Sequence, residues 1–140
     1  PPLVQHFADT SLVAEVEGRL VGFVGGYRPP ANRASLFIWQ IDVEPALHRQ
    51  GLGTALLHAL IQCPGCAGVE YLEATVGSSN VAAKRLFERF ARDLDATCEL
   101  IADSTSNLLE SMQHKREDLL RIGPICVEYA MNLERPYETL

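Results

Sequence analysis

The chain predicts a single α/β (α+β) domain, a mixed sheet with helices on its faces. Three observations carry that reading. Two β-like stretches, Thr10–Val16 and Arg19–Tyr27, are joined by Glu17-Gly18 and read as a hairpin. Leu36–Val43 (LFIWQIDV) is apolar on both sides near its middle, the mark of a central strand. A helix and a further strand follow it, and such a unit brings two strands parallel.

Each element has its own signal. In the hairpin, Leu12, Ala14 and Val16 alternate with Val13 and Glu15, and the return strand carries Leu20, Val21, Phe23 and Val24. Gly22, Gly25 and Gly26 weaken that return strand and predict a bulge or a close backbone approach. Arg28-Pro29-Pro30-Ala31-Asn32-Arg33 reads as a loop. Glu44-Pro45 ends the central strand, and Leu52, Ala55, Leu56, Ala59 and Leu60 mark one face of a helix. Pro64-Gly65 and Gly68 break it before a strand at Val69–Val76. Asn80 is a helix N-cap, and Ala83, Leu86, Phe87, Phe90, Ala91 and Leu94 repeat the helical spacing. Asp95–Asp103 holds a short strand, Leu108–Leu120 is helix-like, and Ile125–Leu133 forms a last strand after Gly123-Pro124.

Composition narrows the function. The 140 residues carry 47% hydrophobic and 21% charged side chains, ordinary globular usage that excludes disordered and fibrous classes. Apolar runs fall short of a bilayer span, and no secretory signal opens the chain. The chain begins Pro1-Pro2 without an initiator Met, which points to a fragment lacking its native N-terminus. A formal net charge of −6 gives no basic surface for phosphate backbones, so nucleic acid is not an expected partner. Cys63-Pro64-Gly65-Cys66 has redox or zinc spacing but lacks a second CxxC or an HxxxH partner, and it follows a helix instead of opening one. With Cys98 and Cys126 it reads as reduced thiols of a cytoplasmic protein, with no metal expected.

The segment with chemistry is Val43-Glu44-Pro45-Ala46-Leu47-His48-Arg49-Gln50-Gly51-Leu52-Gly53-Thr54. A strand ends, a loop turns, and two glycines open a helix whose first N–H groups lack partners and whose dipole favours an anion. A Walker A loop would need Lys after its last Gly, and a dinucleotide fingerprint a third Gly; both are missing. The segment resembles the acyl-CoA loop of the GNAT acetyltransferase superfamily, V-x-P followed by [Q/R]-x-x-G-x-[G/A], with His48 in the usual Gln or Arg place.

That resemblance implies a mostly antiparallel sheet whose parallel pair splays to admit acetyl-CoA. It implies polar groups for the pyrophosphate from Arg49, Gln50, Gly51, Leu52, Gly53 and Thr54, and backbone groups for thioester and pantetheine from Ile41 and Val43. Asn80, Ala83 and Phe87 would line the other side. Phe87 stands where many members carry a Tyr acid, which leaves protonation of the departing thiolate unassigned; its other reading is a core residue.

Further strings resemble one branch, the L-2,4-diaminobutyrate acetyltransferases of ectoine biosynthesis and osmoadaptation: HFADT (6–10), RLVGFVGGYRPP (19–30), LFIWQIDV (36–43), CAGVEYLEATV (66–76), LFERFARDL (86–94) and RIGP (121–124). The resemblance implies a homodimer, a small amine substrate held by Trp39 and His114, and Glu117 as the base. The chain starts after a substrate-side segment that such relatives carry. An aliphatic amine has a pKa near ~10.4, so its neutral form costs roughly 4–5 kcal/mol at pH 7. A carboxylate can hold the ammonium and take its proton. His114 and Glu117 are three apart and would share a helix face. Trp39 on a central strand suits core packing as well as ligand contact, Glu117 alone suits a solvated charge run, and Glu73 is the rival base. Another amine acceptor, or an acyl-CoA-binding module without turnover, are the alternative readings.

Overall fold

The computed structural model describes residues 3–103, 117–126 and 138–139. Among the described residues, eight strands and two α-helices follow in the order β1 (Leu3–Ala8), β2 (Ser11–Val16), β3 (Arg19–Tyr27), β4 (Ser35–Val43), α1 (Leu52–Ile61), β5 (Tyr71–Gly77), α2 (Val81–Asp93), β6 (Thr97–Asp103), β7 (Glu117–Gly123) and β8 (Glu138–Thr139). They form one sheet in the order β6-β7-β5-β4-β3-β2-β1-β8. β4–β5 and the two-residue β1–β8 contact are parallel, and the other pairs are antiparallel.

One side of the sheet carries the core. Leu12, Ala14, Val24, Leu36, Ile38, Leu72, Ala74 and Val76 bury against Leu56, Leu57 and Leu60 of α1 and Phe87 and Phe90 of α2 in a single cluster. The helices touch each other, and the His58 ring stacks on Phe90 at 4.8 Å while its Nε2 lies 2.9 Å from Asp93. Among the described residues both helices therefore pack on one face, where the sequence reading expected helices on the faces in general. The opposite face presents Phe23, Tyr27, Phe37 and Trp39 as two tilted ring pairs, with centroids 5.5 Å and 5.4 Å apart.

The predicted hairpin, central strand, both helices and the short β6 are all found. Asn80 caps α2 as expected, its Oδ1 accepting from Ala83 N–H at 3.0 Å. β1 had no sequence signal, and two expectations change. The helix read over Leu108–Leu120 fails at its end, because Glu117–Leu120 opens β7; the remainder lies outside the described residues. Of the strand read over Ile125–Leu133, Ile125 and Cys126 belong to no strand, and the strand before them, β7, ends at Gly123. Residues 127–133 lie outside the described residues.

The RPP loop is tied down by Arg28, which donates to the carbonyls of Arg33 and Ala67, each at 2.7 Å. Cys63 precedes and Cys66 ends the 3-10 turn that Arg28 holds, and both are buried. Burial, with the neighbouring Cys63 second, pushes the Cys66 thiol up to about 12, against a smaller opposing pull from Arg28.

Candidate active site

The site begins with a mismatch in pairing. Gly25 faces Gln40 but Gly26 faces Ile38, so Trp39 is an extra residue, a one-residue bulge in β4. The bulge flips the side-chain alternation, which is why Leu36 and Ile38 before it and Ile41 and Val43 after it all belong to the core side. It also ends the parallel ladder. β4 pairs with β5 only from Ser35–Tyr71 to Ile38–Ala74, although β4 runs on to Val43 and β5 to Gly77. Past that point the sheet is open between them.

The opening is lined by backbone. Glu44 N–H donates to Val21 C=O at 2.8 Å, making Glu44 a hydrogen-bonded site of the β3–β4 ladder. By alternation, Val43–Gly22 and Ile41–Val24 are non-hydrogen-bonded pairs, so the N–H and C=O of Ile41 and Val43 point away from β3 toward the side that β5 has left. His48 then closes one of these groups. Its Nε2 lies 2.8 Å from the Val43 oxygen, and a carbonyl can only accept, so Nε2 carries the proton.

At the same end of β4, α1 starts. Its first helical bond runs from Ala55 N–H to Gly51 C=O at 2.9 Å, so the N–H groups of Leu52, Gly53 and Thr54 precede the ladder. Gly51 at the N-cap offers no side chain to satisfy them. Gly51 has φ 81° and Arg49 φ 67°, two left-handed residues that bend the loop around the helix end. A Cβ at Gly51 would meet only Thr54 Oγ1, at 4.0 Å, so the approach is open. This is a fitting seat for a diphosphate.

Gly53 has a different role. A Cβ there would lie 2.9 Å from Leu86 Cδ1, so this glycine lets α1 pack closely on α2. The Thr54 hydroxyl turns inward, donating to Gly51 C=O at 3.0 Å, which leaves its N–H for an anion. Arg49 and Gln50 are exposed on the loop. Ala83 is half-buried, but Phe87 is 1% exposed and packed in the core, so its side chain offers no surface to a ligand in this arrangement.

On the face opposite α1 and α2, the Trp39 ring lies over Gly25 and beside Phe23, and it is 53% exposed. Of its two sequence readings, core packing is set aside. Glu73 stands on the same face one residue before the split, and Arg121 donates to its Oε2 through Nε (3.1 Å) and Nη2 (2.9 Å). Those contacts commit the rival base to a partner. Glu117 opens β7 opposite Gly77 and is exposed. It stands in a strand, so the helix face it was expected to share with His114 does not exist at that position; His114 itself lies outside the described residues.

An opened parallel pair, a capless helix start beside it and an exposed aromatic face together describe an acyl-CoA transferase fold. The profile of the acetyltransferase (GNAT) family matches residues 2–91. This chain belongs to the GNAT family. Within that family it is similar to L-2,4-diaminobutyric acid acetyltransferases: 42% identical over 119 residues to that of Virgibacillus pantothenticus, covering 85% of this chain and 75% of the relative. The Halalkalibacterium halodurans relative is 38% identical over 123 residues, 88% of this chain and 65% of its own length. This GNAT chain thus spans about two thirds of the length of the curated relatives it matches. Among solved structures, the Paenibacillus lautus diaminobutyrate acetyltransferase in complex with L-2,4-diaminobutyric acid and coenzyme A superimposes with a TM-score of 0.75 at 36% identity, covering 84% of this chain and 72% of that one. The ribosomal-protein-S18-alanine N-acetyltransferase of Escherichia coli shares the GNAT fold alone, at TM-score 0.62, 21% identity and 83% and 69% coverage. The glycines of β3 predicted a bulge or a close backbone approach, and both are found, the bulge at Trp39 on the facing strand and the approach of its ring to Gly25. The Glu73–Arg121 pair had no signal in the sequence.

Proposed function

We propose that this protein transfers the acetyl group of acetyl-CoA to the γ-amine of L-2,4-diaminobutyrate, the acetylation step of ectoine biosynthesis. The observation that carries the reading is the opening of β4 from β5 beyond Ile38–Ala74, with the uncapped start of α1 at one end. The loop from Arg49 to Thr54 seats the diphosphate through the N–H groups of Leu52, Gly53 and Thr54. The pantetheine arm runs along Ile41 and Val43, whose N–H groups point into the opening, while His48 already occupies the Val43 carbonyl. Asn80 and Ala83, at the start of α2, border the same cleft.

Acceptor and donor meet at the bulge. The neutral γ-amine attacks the thioester carbonyl, the C–N bond forms, and the C–S bond breaks to release the CoA thiolate. Glu117 is the proposed base for the ammonium proton, with His114 and Trp39 holding the acceptor. A carboxylate in this role is worth typically 10²–10⁴-fold. The acid that protonates the thiolate is not Phe87, which has no titratable group. The same reading makes the protein a cytoplasmic homodimer of osmoadaptation, which sedimentation velocity tests through its mass.

Free thiol released on mixing protein, acetyl-CoA and a panel of amines is the deciding measurement. Turnover with diaminobutyrate above other diamines, polyamines and aminoglycosides is expected. Turnover with another amine alone overturns the acceptor, and acetyl-CoA binding with no thiol release for any amine overturns the enzyme.

A further inference from the structure

We propose that Arg121 and Glu73 form the anchor for the amino-acid head of the acceptor, the guanidinium taking its α-carboxylate and Glu73 its α-ammonium, and that this anchor selects amino-acid diamines over plain diamines. The inference rests on the acceptor reading above and adds a specificity site to it.

Position is the first argument. Glu73 pairs in register with Phe37 on β4 and with Arg121 on β7, so all three stand in one row across the face opposite α1 and α2. The sheet opens one residue beyond that row, and Trp39 stands two residues beyond Phe37, about 7 Å further along at strand rise. The γ-nitrogen of diaminobutyrate lies three bonds from Cα, about 4 Å when extended. An acceptor whose head sits on the Glu73–Arg121 row therefore delivers its γ-amine to the mouth of the opening, beside Trp39.

Chemistry is the second. Nε and Nη2 of Arg121 both reach one oxygen of Glu73, Oε2. A guanidinium has five N–H donors, so this one-oxygen contact leaves Nη1 and the second carboxylate oxygen outside the shared bonds. The Tyr71 ring lies 5.4 Å from the guanidinium carbon and fixes its plane. The two side chains are 37% and 13% exposed, so the pair is open on the side of the cation. A positive and a negative edge held side by side complement the carboxylate and ammonium of an α-amino acid.

The test compares L-2,4-diaminobutyrate with 1,3-diaminopropane, the same skeleton without the carboxylate, in the full-length protein. The ratio of the two kcat/KM values cancels the concentration of active protein, so a poorly folded variant cannot imitate the effect. The wild type should favour diaminobutyrate at least about tenfold, the scale of a hydrogen bond to a charged group. Arg121→Gln should erase most of that preference by raising KM for diaminobutyrate, leaving 1,3-diaminopropane within about threefold. Arg121→Lys should retain part of it. If 1,3-diaminopropane turns over too slowly to measure, inhibition by L-2-aminobutyrate replaces it, with Ki at least tenfold higher in Arg121→Gln. An unchanged ratio, an unchanged Ki, or a parallel fall for both acceptors overturns the anchor while the acetyltransferase reading stands. A wild type that acetylates 1,3-diaminopropane but never diaminobutyrate overturns both.

Discussion

Replacing Gly25 with Ala tests the proposed acceptor wall by displacing Trp39 from beneath. A Cβ at Gly25 would lie 2.6 Å from Cζ2 and 2.7 Å from Cε2 of Trp39, and 3.0 Å from Cε1 of Phe23. Gly25 is not among the positive-φ glycines, so the backbone itself accepts Ala and the whole effect falls on the ring. Relief requires the indole to move by roughly an ångström toward van der Waals distance. In a sealed core such overpacking costs about 1–3 kcal/mol. Here Trp39 is 53% exposed and can swing outward, so the loss of stability should stay near the rotamer cost of about 1 kcal/mol. The acceptor should lose more. A cation over an indole is worth about 0.5–2 kcal/mol, or roughly 2–30-fold in acceptor KM. The acetyl-CoA KM should hold, because the start of α1 lies beyond the far end of β4. Trp39 is the single tryptophan of the chain, so its emission reports the displacement directly. Unmoved emission would refute the contact. Shifted emission with an unchanged acceptor KM would refute Trp39 as the wall of the acceptor site.

Glu117→Gln should lower kcat by about 10²-fold or more with acetyl-CoA affinity nearly constant, as a lost base does; single-turnover thiol release against CoA titration checks it, and an unchanged kcat moves the proton elsewhere. Gly53→Val should cost about 1–3 kcal/mol in urea unfolding by pressing Leu86, and adding Leu86→Ala should recover much of that; additive losses would show that the two positions are not in contact. Cys66, pushed up to about 12 by burial, stays a neutral thiol at pH 8, so an alkylating agent should label the exposed Cys126 long before it. The sign follows from the same shift. Between the ordinary thiol value of 9.0 and about 12 the unfolded chain releases this proton and the folded chain keeps it, so stability from this group falls as pH rises through that window.

The hairpin, β4 and the two helices were legible because their burial follows one period at a time. α2 is the clearest case: Phe87, Phe90 and Ala91 bury one stripe, and Asn80 supplies its cap in the sequence itself. β7 was misread for a physical reason. Its core-facing side carries Asp118 beside Leu120 and Ile122, which spoils the apolar alternation. That carboxylate is tolerated because Lys84 reaches it from α2 at 3.0 Å, a partner no local pattern announces. β1, with Gln5 and His6 between its apolar residues, owes its pairing to β2. At the site, the proposed phosphate loop could be read as a string because strand, turn and glycines are contiguous. Glu73 and Arg121 are 48 positions apart, and only the β5–β7 register brings them together. Gly53 shows the opposite case: its place in the motif was visible, its neighbour Leu86 was not.

The extra residue at Trp39 has a kinetic corollary. On the proposed reading it leaves a slot through the wall of the sheet, with the nucleotide end of one reactant at the helical rim and the aromatic terrace on the reverse side. Two reactants that arrive from opposite sides do not share a doorway, so each can enter while the other is in place. Removing a single position from that stretch of β4 would restore the ladder, close the slot and leave two half-sites with nothing between them but a continuous sheet.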